Sequence, residues 1–254
     1  MIVENGEWII HGLAWDDPDR IRSPKELVSL IKKVGFLPLF GSDVKGFSVE
    51  ERVSAAHWWT GDREQDPWEW REIIAAGHEV AYGKFFDRKA GFISLEWLPY
   101  FANYRRDGYD FDSAWEDSKV SRREKLIMDV LTDKDSEGEI IWSDKQILST
   151  ELNQLAGFGK GGEKNFPGIT TDLMMKTYLV TADFRRRRNK KGAEYGMAVS
   201  VLMPPEALWG YDAIASAYSE SPYDSWRRII DRVREIYPAA DEADIIKLIG
   251  KAPK

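Results

Sequence analysis

The chain has 254 residues, 43% of them hydrophobic, with a formal net charge of -7 and no cysteine. That length suffices for one large core or two to three small ones. The lack of cysteine excludes disulfides, thiolate metal sites and a cysteine nucleophile, and the acidic balance argues against a general nucleic-acid coat while leaving room for a local basic patch. The opening MIVENGEWIIHG has no basic stretch followed by a long apolar one, so it does not read as a signal peptide. No segment approaches the about 20 apolar residues of a membrane span. We expect a soluble cytoplasmic protein with no membrane contact. Composition does not address its oligomeric state.

Residues 1–22 read as an N-terminal extension. Trp8, Ile9, Ile10, Leu13 and Trp15 suit a short strand or a packing arm, and the acidic run at 16–19 suits a turn. Ser23-Pro24-Lys25-Glu26 is a capping box with proline at the first helical position. Leu27, Leu30, Ile31 and Val34 then repeat at helical spacing, and Gly35 is the stop. Phe36 to Phe40 follow as an apolar, proline-interrupted run, and Ser48-Val49-Glu50-Glu51 starts a short helix.

The stretch from His57 to Asp107 holds five of the 11 tryptophans and two of the three histidines. Tryptophan offers core bulk or a stacking face with a polar handle. Interleaving with Asp62, Arg63, Glu64, Asp66, Glu69, Arg71 and Glu72 suits a cleft wall better than a plain core. Asp66-Pro67-Trp68-Glu69 predicts a second helix, ended by Gly77. His78 to Phe86 and Gly91-Phe92-Ile93 predict strands about a turn at 87–91. A further helix carries Leu95, Leu98, Phe101 and Tyr104, with Ser94 as its cap and Pro99 in its early turns. Asp107 to Asp110 is a polar break.

Ser121-Arg122-Arg123-Glu124 is a third capping box. A loop is expected at 133–139, a short helix over 147–157 with Ser149 as its cap, and a flexible glycine-rich link at 157–164 that fits neither of the familiar phosphate-loop patterns. Thr170 or Thr171 opens another helix. Tyr178 to Phe184 and Glu194 to Leu202 predict strands joined by a basic turn at 185–193, and four helices close the chain. We expect an α+β, mainly helical protein. Helix, helix, helix and then a hairpin is the layout of a winged helix. The expected division is a first winged-helix-like domain at 23–117, a second at 118–210 with the basic wing, and C-terminal helices at 211–254.

Several segments also carry a resemblance. HWWTGDREQDPWEWREI at 57–73, AYGKFFDRKAGFISLEWLPYFANYRRDGYDF at 81–111, AGFGKGGEKNF at 156–166 and LMMKTYLVTADFRRRRNKKGAEYG at 173–196 are similar to the AlkZ-related proteins of bacteria. These are distant relatives of the AlkZ (YcaQ) DNA glycosylases, and the resemblance covers roughly residues 23–230. It implies tandem winged helices, contact with DNA and a link to DNA repair. For an enzyme of this kind it implies hydrolytic release of alkylated bases through a Gln-X-Gln or Gln-X-Asp motif, sometimes with His first. None of the three glutamines (Gln65, Gln146, Gln154) or three histidines sits in such a motif, and the place it would occupy, near Phe36 to Phe40, is apolar. Whether the chain excises bases therefore stays open.

Candidate functional residues follow. Arg185, Arg186, Arg187, Arg188, Lys190 and Lys191 would lie along phosphates of duplex DNA, the alternative being a solvated turn. Asp62 and Glu64 would supply a general base. Asp66 and Glu69 are explained as helix caps, whereas these two have no evident structural task. Trp58, Trp59 and Trp68 would line a cleft or stack on an extruded base. Arg105 and Arg106 would clamp phosphate, or complement a helix C-terminus. No ligand spacing points to a metal, and no cofactor is expected. Two other readings stand beside DNA contact: a non-catalytic module binding a protein or small ligand, and a hydrolase using Asp62 and Glu64.

Overall fold

A computed structural model describes residues 2–4, 7–138 and 140–253. The Trp8 side chain, expected in an arm, lies outside the described residues. The fold is α+β, with short antiparallel sheets among helices. Strands β1 (Ile2–Glu4) and β2 (Glu7–Ile9) form a hairpin. Helix α1 (Pro24–Val34) starts where the Ser23 side chain accepts from the Glu26 amide at 3.2 Å, and it buries Leu27, Val28, Ile31 and Val34. Gly35 ends it at φ 100, where a Cβ would also meet the Trp97 ring. Only glycine fits such a turn without strain.

β3 (Phe36–Pro38) is an edge strand, which tolerates its proline. Two short 3-10 turns at Glu50–Arg52 and Ala55–His57 lead to α2 (Pro67–Gly77). β4 (Val80–Phe86) and β5 (Lys89–Ser94) complete a sheet in the order β3-β5-β4. Helix α3 (Leu98–Arg106) begins at Trp97 without a side-chain cap, so Ser94 is not its cap. Pro99 in the first turn sets the later start, because it needs no amide partner there.

α4 (Phe111–Glu116) follows the polar break at 107–110, with Asp110 at its N-cap position. α5 (Arg122–Leu131) carries the full capping box of Ser121 and Glu124. The loop expected at 133–139 is found over 135–138 as the turn of a small hairpin whose strands are β6 (Thr132–Lys134), which takes in its first two residues, and β7 (Ile140–Trp142). β8 (Ile147–Leu148) precedes α6 (Ser149–Leu155), which has no side-chain cap at all. α7 (Phe166–Met175) opens on Pro167 rather than at Thr170 or Thr171. Those hydroxyls donate back to the carbonyls of Phe166 and Pro167, a mid-helix habit of threonine. β9 (Val180–Arg188) and β10 (Glu194–Met203) pair with β8 in the order β8-β10-β9. Arg185 to Arg188 thus lie on a strand, and the turn spans only 189–193.

The chain closes with α8 (Pro205–Trp209), α9 (Tyr211–Ala215), α10 (Pro222–Ile236) and α11 (Glu242–Ile249). One apolar core gathers α1, α2, the first sheet and α3, and takes in Trp226, Ile229, Ile230, Val233, Ile245 and Ile249 from the last two helices. A second core lies under α5, α6 and α7. Among the described residues no helix is long and apolar enough to cross a membrane.

A buried ion pair ties these parts together. Arg106 donates to Glu206 at 2.5 Å, to the Tyr218 hydroxyl at 3.1 Å and to the Thr177 carbonyl at 2.7 Å. The two charged side chains are only 1% and 2% exposed. Burial alone would lower the Arg106 pKa, but Glu206, Tyr218 and Tyr178 outweigh it and hold it above the usual arginine value. Arg106→Met is expected to destabilise the protein by about 3–5 kcal/mol, because Glu206 would keep a buried charge without a partner. Adding Glu206→Leu is expected to recover part of that loss. Urea unfolding of the two variants beside the wild type checks both. Equal destabilisation in the single and double variants would mean the charges are not coupled.

Candidate functional site

A groove of about 1370 Å³ runs between the two three-stranded sheets. Its floor forms where the β4–β5 hairpin docks on α7. The Lys84 amide donates to Met174 Sδ at 3.4 Å, and Lys84 Nζ reaches the Thr171 hydroxyl at 3.2 Å. Arg88 pairs with Asp172, and its amide donates to Met175 Sδ at 3.3 Å. α2 and β9 supply another wall. The His78 ring lies 2.9 Å from the Ala182 carbonyl, and the Arg71 guanidinium sits over the Phe184 ring at 4.3 Å.

An aromatic corner closes one end. Phe40, Trp59 and Trp68 line the groove, and Trp58 is buried behind them, 5.4 Å from Phe40 and 5.8 Å from Trp59 by ring centroids. Trp59 stays 48% exposed although its backbone is fixed at φ 59. A left-handed conformation is uncommon for a bulky residue and persists only where its surroundings impose it. Asp66 imposes it here. This fully buried carboxylate accepts from the amides of Trp59 at 3.1 Å, Gly61 at 2.9 Å and Trp68 at 2.8 Å. One side chain thus caps α2 and holds the exposed indole in place.

Charge inside the groove opposes that of the chain. Arg71, Lys84, Arg88, Lys89 and Arg186 line it against Glu69 and Glu72, five cations to two carboxylates, whereas the chain as a whole carries -7. Arg71 is nearly buried, with Trp68 at 3.8 Å and Phe184 at 4.3 Å from its guanidinium carbon. It donates to Glu72 at 3.1 Å. Burial raises the Glu72 pKa above the ordinary carboxylate value, with Arg71 acting against it. Burial also pushes the neighbouring Tyr82 hydroxyl up to about 12, again opposed by Arg71.

The residues singled out from sequence fall in several places. Trp59 and Trp68 line the groove, while Trp58 only backs it. Asp62 and Glu64 are exposed and do not line it. The Asp62 carboxylate accepts the Glu64 amide at 2.9 Å and shapes the turn before α2, so Asp62 does have a structural task. Arg105 and Arg106 face the interior and are not among the residues that line the groove. Arg105 donates to the carbonyls of Phe85 at 2.5 Å and Ile249 at 3.3 Å, and Arg106 is held by Glu206. Their place on the buried end of α3 accounts for this. Of the basic run, Arg186 alone lines the groove. Arg185 is bound to Asp183 and Gln146, Arg188 pairs with Glu194 at 3.4 Å, and Arg187 lies over the Tyr195 ring. Lys190 and Lys191 are exposed at the turn. Sequence reasoning missed Tyr82 and Phe184 as groove residues and treated Arg71 and Glu72 only as part of a charged mixture. The spacing of Glu69 and Glu72 on one helical face was the available signal.

A smaller depression of about 720 Å³ lies over α10, lined by charged side chains such as Arg227 and Asp231 that pair with one another. Among the described residues no group of three or more His, Asp or Glu is placed to hold a metal ion. A family model described as AlkZ related matches residues 21–250. No curated protein and no solved structure matches the chain.

The pKa of Glu72 sets a pH dependence whose sign is fixed. Its folded value is raised, so its contribution to stability is fully present below the unfolded value and is lost as pH rises through the folded value. Glu72→Gln is therefore expected to gain stability relative to the wild type as pH rises from below the ordinary carboxylate range, about 4, to neutrality. Thermal unfolding at several pH values checks it. A difference that is flat with pH, or that moves the other way, would show that burial does not dominate at Glu72.

Proposed function

Because the chain belongs to the AlkZ-related family, with residues 21–250 matched, we propose that it is a DNA-interacting protein built on tandem winged-helix-like units. The first unit spans 23–117 and the second 118–210, with the C-terminal helices buttressing the first. Equivalent strand orders support this reading. In both sheets the short first strand pairs with the second hairpin strand, giving β3-β5-β4 and β8-β10-β9. In both, a helix leads directly into the hairpin, α2 before β4 and α7 before β9.

The observation that carries the reading is the reversal of charge in the groove. Five cations against two carboxylates, in a chain of net -7, concentrate positive potential where a phosphate backbone can approach. The β9–β10 hairpin extends the same sign outward through Arg186, Lys190 and Lys191. Binding is separate from base excision here. Phe36, Leu37 and Leu39, where the resemblance would place the Gln-X-Gln motif, are fully packed in the first core. They offer no polar group to orient water. Phe40 reaches the groove, but as an apolar wall. The protein on this reading holds duplex DNA without the excision motif of the glycosylases.

Titration of duplex DNA at several salt concentrations tests it, with wild type beside the combined Arg186→Ala, Lys190→Ala and Lys191→Ala variant. These side chains make no ion pair among the described residues, so their removal leaves the fold intact. Wild-type affinity is expected to fall steeply with salt. The variant is expected to bind more weakly, with a salt slope shallower by about 0.9 for each phosphate it no longer neutralises. No binding by the wild type, or an unchanged slope in the variant, would overturn the proposal.

A further inference from the structure

We propose that Arg71, whose guanidinium lies against the rings of Trp68 and Phe184, forms with the adjoining Glu72 a subsite that hydrogen-bonds the pairing edge of a single unpaired nucleobase. The inference rests on the nucleic-acid reading above and names what the groove would select. Three observations converge on it. The first is geometric. Trp68 and Phe184 lie 3.8 Å and 4.3 Å from the Arg71 guanidinium carbon, so the flat cation is flanked by rings and keeps its edge for hydrogen bonds. The second is an unmet demand. Arg71 is 6% exposed, yet among the described residues its Nε–H has no partner, while the side chain lines the groove. A buried guanidinium donor without an acceptor is costly unless something completes it. The third is the neighbouring acceptor. Among the described residues Glu72 takes one side-chain hydrogen bond, from Arg71 Nη2 to one of its oxygens. Burial disfavours its charge, so it gains from an N–H donor.

The site therefore asks for a planar, neutral group that accepts beside Arg71 and donates beside Glu72. An anion suits it poorly, because Glu69 and Glu72 both line the groove from the helix that carries Arg71. A nucleobase has that mixed edge, and its faces match the exposed Trp59 ring in the same groove. In a paired duplex the edge is already occupied and the faces are stacked. Only an unpaired base can enter.

Affinity for a duplex carrying one unpaired guanosine is compared with that for its fully paired counterpart, using wild type and Glu72→Gln. Guanine presents two adjacent N–H donors to a carboxylate. Wild type is expected to prefer the first duplex by about tenfold, the scale of one charge-assisted hydrogen bond. Glu72→Gln is expected to abolish the preference, read as the ratio of the two affinities, so that any general gain in duplex affinity from the lost negative charge cancels. Equal wild-type affinity for the two duplexes would overturn the inference and leave the DNA-binding reading standing. If neither duplex binds, that reading falls, and titration with free guanosine decides the subsite by tryptophan quenching. Quenching that disappears in Glu72→Gln supports it, and no quenching overturns it. The wild-type measurements need no variant to fold. Quenching by inorganic phosphate in place of guanosine would also overturn it.

Discussion

Arg106 and Glu206 sit at the meeting point of segments far apart in the chain, and neither has solvent to fall back on. A buried charge is tolerable only when it is paired and hydrogen-bonded. Arg106 meets that condition through three segments at once. It leaves the end of α3, takes the Thr177 carbonyl just before β9, and takes Glu206 at the start of α8. Tyr178 lies under its guanidinium at 4.5 Å and donates to the Tyr109 carbonyl at 2.9 Å. Apolar packing within the two cores is non-directional, so a directional contact fixes how they are placed. This pair supplies one, and it carries the strand that walls the groove.

From that joint the groove geometry follows. With β9 fixed beside α2, Phe184 comes over Arg71 and the His78 ring reaches the Ala182 carbonyl. With the β4–β5 hairpin lodged on α7, Lys84 and Arg88 are tethered to α7 through Thr171 and Asp172. The aromatic end is set locally by Asp66. Near the joint, side chains are locked by burial. Farther out, the hairpin becomes exposed, and opposite Arg186 the β10 strand bulges between Tyr195 and Val199. Met197 in that bulge is 87% exposed on the lip of the groove. The groove thus joins a rigid floor to an accessible rim.

Much of the fold was legible because its signals are local. Ser23, Asp66 and Ser121 announced three helices, and their side chains make the expected bonds. Ser94, Ser149 and Thr170 misled because the same residue types also serve in strands, helix starts and helix interiors. Proline was the better marker in α3 and α7. The groove was half legible. A tryptophan block mixed with charge pointed to a cleft wall, and Trp59 and Trp68 are there. Which of the charged neighbours faces inward depends on β9, more than a hundred residues away. That is why Asp62 and Glu64 stood out in sequence and Glu72 did not. Arg105 and Arg106 posed the same difficulty in reverse, since a pair of arginines on an aromatic helix looks like a phosphate clamp until its partners at 85, 206 and 249 are known.

The residues that hold charge in the groove and those where the excision motif would fall lie on different elements. Arg71 stands on α2, Lys84 on β4, Lys89 on β5 and Arg186 on β9. Phe36 and Leu37 lie on β3 and Leu39 just beyond it, packed beneath α1. Replacing polar groups by apolar ones on β3 strengthens the core, because each buried side chain adds roughly 1.5–3 kcal/mol and leaves no hydrogen bond unmet. None of that disturbs the cations on the other three strands and the helix. The apolar stretch at 36–39 and the groove cations therefore share no side chain and can vary independently. Phe40, which alone of Phe36 to Phe40 lines the groove, is part of its apolar wall and packs 5.4 Å from the Trp58 ring.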